Sequence, residues 1–235
     1  MPDATLLKAL EPISRPSVTD AVFEELHRQI LSLELPPGTK MSETDVAQIM
    51  GVSRQPVRDA FYRLSMLGFL TIRPQRATVV AAIQESAVMQ ARFIRSAIEA
   101  ETVRVACDVL TEEDLGALES ILNNQRSAVE ARDAALFHAL DDQFHREICE
   151  RTGHGYAWDI IRENKAHMDR VRFLSLSFAS PDAYGDHLKV MAALRSRDPA
   201  LAMAEMRSHL GRIRHQIRRI RAENQTYFEG PASLE

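Results

Sequence analysis

The apolar residues keep a helical period over three segments and then change period after Gly68, and this constrains the fold more than any other feature of the chain. Val18, Val22, Leu26, Ile30 and Leu33 recur at the spacing of one helix face. The run "ELPPGTKMSE" stops that helix, because tandem prolines and Gly38 cannot continue it. Ser42, followed by Glu43 and Asp45, opens a second, short helix that Gly51 ends. Ser53 then caps a third helix from about 54 to 67. After Gly68 the pattern becomes β-branched and apolar: "FLTIRPQRATVVA" predicts a hairpin about its Pro-Gln-Arg turn. Three helices and a hairpin in fewer than 70 residues describe a winged helix-turn-helix.

From about residue 84 no strand pattern follows. Helical patterns run over 84–107, 111–130, 133–152, 156–179, 182–196 and 198–224, with breaks at Gly153–Gly155, Ser180-Pro181 and Asp198-Pro199. The expected fold is mostly α: the winged helix-turn-helix, then an all-α antiparallel bundle of about six helices. The expected organisation is a flexible leader over 1–14, a DNA-binding domain over 15–82, a helical domain over 83–224 and a polar tail over 225–235. Cys107 and Cys149 show no disulfide or zinc-knuckle spacing and are expected as small buried residues. No signal peptide and no apolar run of membrane-spanning length are read, so the expected setting is reducing and cytoplasmic, without a membrane partner.

The net charge of −4 does not by itself suit a polyanion, but it hides a gradient. Residues 51–80 hold Arg54, Arg58, Arg63, Arg73 and Arg76 against Asp59 alone, a local net of +4. At about 100° per residue, Arg54, Gln55 and Arg58 share one arc of the third helix, while Val57, Phe61 and Leu64 lie on the adjoining face. A helix buried along one side, with forked cationic donors at its first turn, is suited to the major groove. Arginine meets guanine O6 and N7 bidentately, and glutamine meets adenine or a phosphate. Ser53 and the helix N-terminus suit a phosphate oxygen. Arg73 and Arg76 fall on the hairpin, where a wing meets the backbone or minor groove.

The stretch "ILSLELPPGTKMSETDVAQIMGVSRQPVRDAFYRLSMLGFL" resembles the DNA-binding domain of the GntR family of bacterial transcription regulators. The family pattern is "G-x-L-x-P-G-x-x-L-[SP]-E" followed by "L-A-x-x-[LF]-G-V-S-R-x-P-V-R-E-A-L-x-x-L". By position, the resemblance assigns Arg54 and Arg58 to base and phosphate contact. Gln55 stands for a common threonine and Asp59 for a glutamate. Thr44 stands where some members carry a further DNA-contacting arginine. The wing departs from the family, with "PQRATVV" where a glycine is usual in "P-x-R-G".

Seven of the eight histidines lie in the helical half. "LDDQFHREI" puts Asp141 and His145 at i and i+4 on one helix face, and His138 falls on the same face. His187 and His209 follow on later helices. A carboxylate and imidazoles converging in a bundle suit zinc, nickel, manganese or iron, with zinc first. Spacing alone does not choose among the histidines. This half is similar to the FCD-type effector domain of the FadR subfamily, marked by "D-x-x-x-H", a histidine opening a late helix and another in the last. That resemblance implies Asp141, His145, His187 and His209 as ligands of a divalent metal beside a cavity for a small carboxylate. "FIRSAIEAE" resembles the domain's first helix and places Arg95 toward the cavity; the plain alternative is an ion pair with Glu99, one turn on. His167 is a further expected cavity residue. Arg207, Arg212, Arg214, Arg218, Arg219 and Arg221 spread around the last helix and are expected on a solvated or dimer-contacting surface.

The expected function is a homodimeric regulator, a repressor, binding a palindromic operator with recognition helices about 34 Å or less apart. Its affinity would be set by a small organic acid bound at the metal. One alternative is a regulator for which the metal itself is the signal. Another is a metal-dependent hydrolase, but no glutamate stands at the spacing of His-Glu-x-x-His, and an enzyme gives no account of residues 15–81.

Overall fold

The computed structural model describes residues 17–73 and 76–230. The expected leader and the Pro74–Gln75 tip of the hairpin lie outside these residues. The described chain divides into two compact units, one of residues 17–30 and 39–81, the other of 31–38 and 82–230.

In the first unit, helices α1 (Val18–Leu31), α2 (Glu43–Met50) and α3 (Arg54–Met66) surround a core that includes Phe23, Leu26, Val57, Phe61 and Leu64. The Ser42 hydroxyl accepts the Asp45 backbone N–H at 3.1 Å and so starts α2. Gly51 ends α2 at φ 66°, a left-handed conformation that costs glycine little. Three short strands follow the apolar alternation: β1 (Lys40–Met41), β2 (Leu70–Thr71) and β3 (Thr78–Val80). The sheet order is β1-β3-β2, antiparallel, with Lys40 opposite Val79 and Leu70 opposite Val80. The expected hairpin therefore supplies the central strand, β3, and one edge strand, β2, of a three-stranded sheet. β1 escapes a reading by pattern because two residues, one exposed and one buried, carry no period.

The second unit holds α4 (Glu85–Val109), α5 (Glu112–Glu130), α6 (Ala134–Arg151), α7 (Gly155–Arg195), α8 (Pro199–Gly211) and α9 (Ile213–Glu223). Local caps set the starts: a Thr111–Asp114 capping box for α5, Asp133 for α6, and Asp198 before Pro199 for α8. α4 packs against α7 and α8, and α5 against α6. The core between them includes Val103, Leu118, Phe144, Ile148, Val190 and Leu194.

Two helix boundaries differ from expectation. No break occurs at Ser180-Pro181: α7 runs 41 residues through Pro181. The last helix instead divides at Arg212, between α8 and α9. The count of six helices survives because one lost break offsets one gained. The segment after Glu223 is also not simply a polar tail. Phe228 is buried with Ile83, Ile217 and Ile220, and Ile83 pairs with Phe228 in a parallel bridge.

Candidate functional site

The exposed face of α3 carries Arg54, Gln55 and Arg58, while Val57, Ala60, Phe61 and Leu64 are buried behind it. Glu43, the first residue of α2, lies between the two arginines. Its carboxylate accepts from Arg54 Nη2 at 3.3 Å and from Arg58 Nη2 at 3.2 Å, and it holds the Arg58 guanidinium further into its charged form. Gln55 donates to Asp59 at 2.9 Å. Ser53 occupies the N-cap position of α3, but its side chain makes no capping bond. Thr44, Ser53, Arg73 and Arg76 are all exposed.

In the helical unit Asp141, His145, His187 and His209 each offer one donor atom within 4.8 Å of the others, and all four side chains are buried. α6 supplies the first two, one turn apart; α7 and α8 supply the others. Their neighbours settle which ring nitrogens face inward. Gln125 donates through Nε2 to the Leu140 carbonyl at 3.0 Å, so its Oε1 is turned to His187 Nδ1 at 2.8 Å. His187 therefore carries its proton on Nδ1 and points a lone pair inward from Nε2. His145 Nδ1 faces the Glu99 carboxylate, and its buried Nε2 has no hydrogen-bond partner. His209 Nδ1 lies 3.7 Å from Asp186, and its Nε2 is 3.3 Å from that of His187.

Burial, and then the neighbouring His209, hold His187 well below its ordinary pKa. Burial also lowers that of His209, against a partly offsetting Asp186. Burial opposes charge on Asp141, yet Arg172 foremost keeps its carboxyl well below the usual range. A carboxylate and three imidazoles whose ring nitrogens converge form a donor set that fits a divalent cation.

A cavity of about 70 Å³ adjoins this cluster. Asp141 and His209 are in its wall, with Arg95, Arg172 and Arg212. Arg95 is 2% exposed; its Nε donates to Glu99 at 2.5 Å, and its Nη2 has no hydrogen-bond partner. Arg95 thus makes the Glu99 pair and lines the cavity as well. Arg172 donates to Asp141 through Nη2 and to Asp142 and Asp169 through Nη1 at 3.1 and 3.0 Å. His167 is half-buried on α7 and is not in this wall.

His138 belongs elsewhere. It faces Asp169 at 3.9 Å and stacks on Phe173, in a group with Asp142 that Lys165 and Arg172 neutralise. Gln125, Arg172 and Asp186 were not singled out from the sequence. Gln125 does leave a signal, as a polar residue on the apolar stripe of Leu118, Ile121, Leu122 and Ala128. Arg212 and Arg221 also depart from the expected arginine surface. Arg212 binds Asp186 at 2.8 Å, and Arg221 binds Glu85 at 2.9 Å and the Gly230 carbonyl at 2.6 Å.

Residues 18–80 match the family described as bacterial regulatory proteins, gntR family, and residues 90–212 match the FCD domain. The chain belongs to the GntR family. It is similar to the HTH-type transcriptional repressor RspR of Escherichia coli K12, 38% identical over 90% of this chain and 93% of that protein. An HTH-type transcriptional regulator of Streptomyces ambofaciens is 32% identical over 90% of each. Among solved structures, E. coli McbR/YncC superposes with a TM-score of 0.71 at 21% identity, over 89% of this chain and all of that one, a likeness of fold. This GntR-family protein is a DNA-binding transcription regulator and not an enzyme. No described helix is long and apolar enough to cross a membrane.

Proposed function

We infer that this regulator is a homodimeric repressor whose operator affinity is set by a small carboxylate bound beside a divalent metal. One observation carries the effector reading. Asp141 and His209 belong both to the four-residue donor cluster and to the wall of the cavity. Asp141, His145, His187 and His209 would hold the ion, zinc foremost, and the ion would supply a positive centre at the cavity wall. The partnerless Nη2 of the buried Arg95 suits a carboxylate oxygen in the same space. An organic anion is favoured over the metal alone as the signal, since three of the charged side chains in the wall are arginines.

On the DNA side, Arg54, Gln55 and Arg58 would enter the major groove of each half-site of a palindromic operator. Ser53 and Thr44 would meet phosphates, and Arg76 the flanking groove. The test of the effector reading is elemental analysis of the purified protein, with thermal shifts over a panel of small carboxylates with and without chelator. Stoichiometric metal and a chelator-sensitive shift are expected; neither appearing would remove the metal and effector from the reading. For the DNA half, Arg58→Ala should abolish operator binding with metal content unchanged. Normal affinity in that variant would move recognition away from α3.

A further inference from the structure

The three cavity arginines share an arrangement: each is bonded to a carboxylate that belongs to, or faces, one of the four donor residues. Arg95 binds Glu99, which faces His145. Arg172 binds Asp141 itself. Arg212 binds Asp186 through Nε at 2.8 Å and Nη2 at 2.5 Å, and Asp186 lies 3.7 Å from His209. Arg212 differs from the other two in its place on the backbone. It is the single residue between α8 and α9, and its N–H reaches His209 O at 3.2 Å, three residues back rather than four. Ile213 and Gln216, in the first turn of α9, continue the cavity wall.

What α9 holds gives this joint a consequence. Ile213, Ile217 and Ile220 pack with Ile83, Val88 and Phe228. Arg221 ties α9 to Glu85 and to the carbonyls of Glu229 and Gly230. The segment after α9 then grips Ile83 on both sides: Ile83 N–H donates to Tyr227 O at 2.7 Å, and Glu229 N–H to Ile83 O at 3.0 Å. Ile83 is the second residue after the first unit ends at Ala81. A continuous set of bonded and packed groups therefore runs from the cavity, through Arg212 and α9, to the chain that leaves the DNA-binding unit.

We propose that Arg212 is an anion-binding residue of the cavity and that, by exchanging Asp186 for the anion, it loosens α9 and its grip on Ile83. This rests on the reading of the cavity as a carboxylate site. The guanidinium is held by two carboxylates of α7, the buried Asp186 and, through Nη1 at 3.2 Å, the exposed Asp182; of these Asp186 is the one that faces a donor residue and that the anion would replace. The geometry allows exchange because Arg212 is a third exposed, while Asp186 is buried and keeps a second partner in Lys189 at 3.3 Å. The coupling then acts on an element with two arrangements, a tied and an untied joint, rather than on a rigid rod.

The experiment uses zinc-loaded full-length protein with acetate, malonate and citrate as probes. It reads anion affinity by calorimetry and hydrogen exchange at the amides of Ile83 and Glu229. In the unaltered protein, the probe that binds is expected to speed exchange at both amides several-fold. Arg212→Gln should weaken that anion by about tenfold or more, leave zinc stoichiometry unchanged, and exchange fast at both amides with or without anion. Arg212→Lys, which keeps the charge, controls for folding and should bind with intermediate affinity. Unaltered anion affinity in Arg212→Gln, or unmoved exchange at Ile83 when the anion binds the unaltered protein, overturns this proposal alone. No binding of any probe to the unaltered protein overturns it together with the carboxylate reading.

Discussion

Gln125 Oε1 lies 2.8 Å from His187 Nδ1, and this one contact decides which face of the His187 ring is basic. The amide is fully buried and oriented by its second bond to Leu140 O. Gln125→Leu replaces the amide with an apolar side chain of similar size and so removes the acceptor. Metal affinity should fall by about 10–100-fold, the usual effect of losing an outer partner of a histidine ligand. Stability should fall by about 1–3 kcal/mol, since His187 N–H is left buried without its bond. Gln125→Glu, which restores an acceptor, should recover metal affinity. Competition titration with a chromogenic chelator measures both variants; equal affinity in Gln125→Leu would show that Gln125 does not set the ring.

Glu43 pairs with both Arg54 and Arg58, the two guanidinium groups proposed to meet DNA. The pairs are largely exposed, so their own stability contribution is small. On the proposed reading, a phosphate approaching Arg54 or Arg58 would compete with that carboxylate. Glu43→Gln should therefore bind non-sequence-specific duplex several-fold more tightly and reduce the ratio of operator to non-specific affinity. Fluorescence anisotropy over a salt series reads this directly. Equal affinities for both duplexes before and after substitution would mean that Glu43 only braces the arginines.

The features legible in the sequence are those set by neighbours close along the chain. Ser42, Thr111, Asp133 and Asp198 each start a helix through a bond three residues on, so the starts follow from local chemistry. Asp141 and His145 share a face for the same reason. What brings His187 and His209 to them is the packing of α7 and α8 around α6, which no spacing encodes; the family likeness supplied that step. Arg172 in "KAHMDRVR" and Asp186 beside His187 read as ordinary surface charges, because only the fold shows the carboxylates and imidazoles they meet. The joint at Arg212 follows Gly211, but Met206, Leu210, Ile213, Ile217 and Ile220 keep helical spacing across it, so the pattern reads as one helix.

Burial pushes the Cys149 thiol up to about 12, and it also raises that of Cys107. At pH 8 Cys149 is therefore held almost wholly as the unreactive thiol, and the residue is 1% exposed besides. Neither cysteine should react with iodoacetamide in the native protein at pH 8, and both should react at once in denaturant. The rate at intermediate denaturant then reports opening of the α4–α6 region. Rapid labelling of the native protein would show that this part of the bundle opens readily.

Pro181 lies on the exposed side of α7 while Ser175, Asp186, His187 and Val190, on either side of it, are buried in the same bundle. Packing before and after the proline holds one helix axis through a residue that locally favours a break. The cost stays in the helix, because proline is about 3 kcal/mol less favourable than alanine in an interior position and removes one backbone bond. Alanine gives back about 0.4–1 kcal/mol through a freer unfolded chain. Pro181→Ala should therefore stabilise the helical unit by about 2 kcal/mol and raise its Tm by several degrees. Because Ala179, Ser180 and Ala183 are in the cavity wall, the same variant tests whether that wall needs the proline. Unchanged metal content with a higher Tm is the expected result in calorimetry. A lower Tm would mean that α7 is built around a bend at Pro181, and that the wall formed by Ala179, Ser180 and Ala183 depends on it.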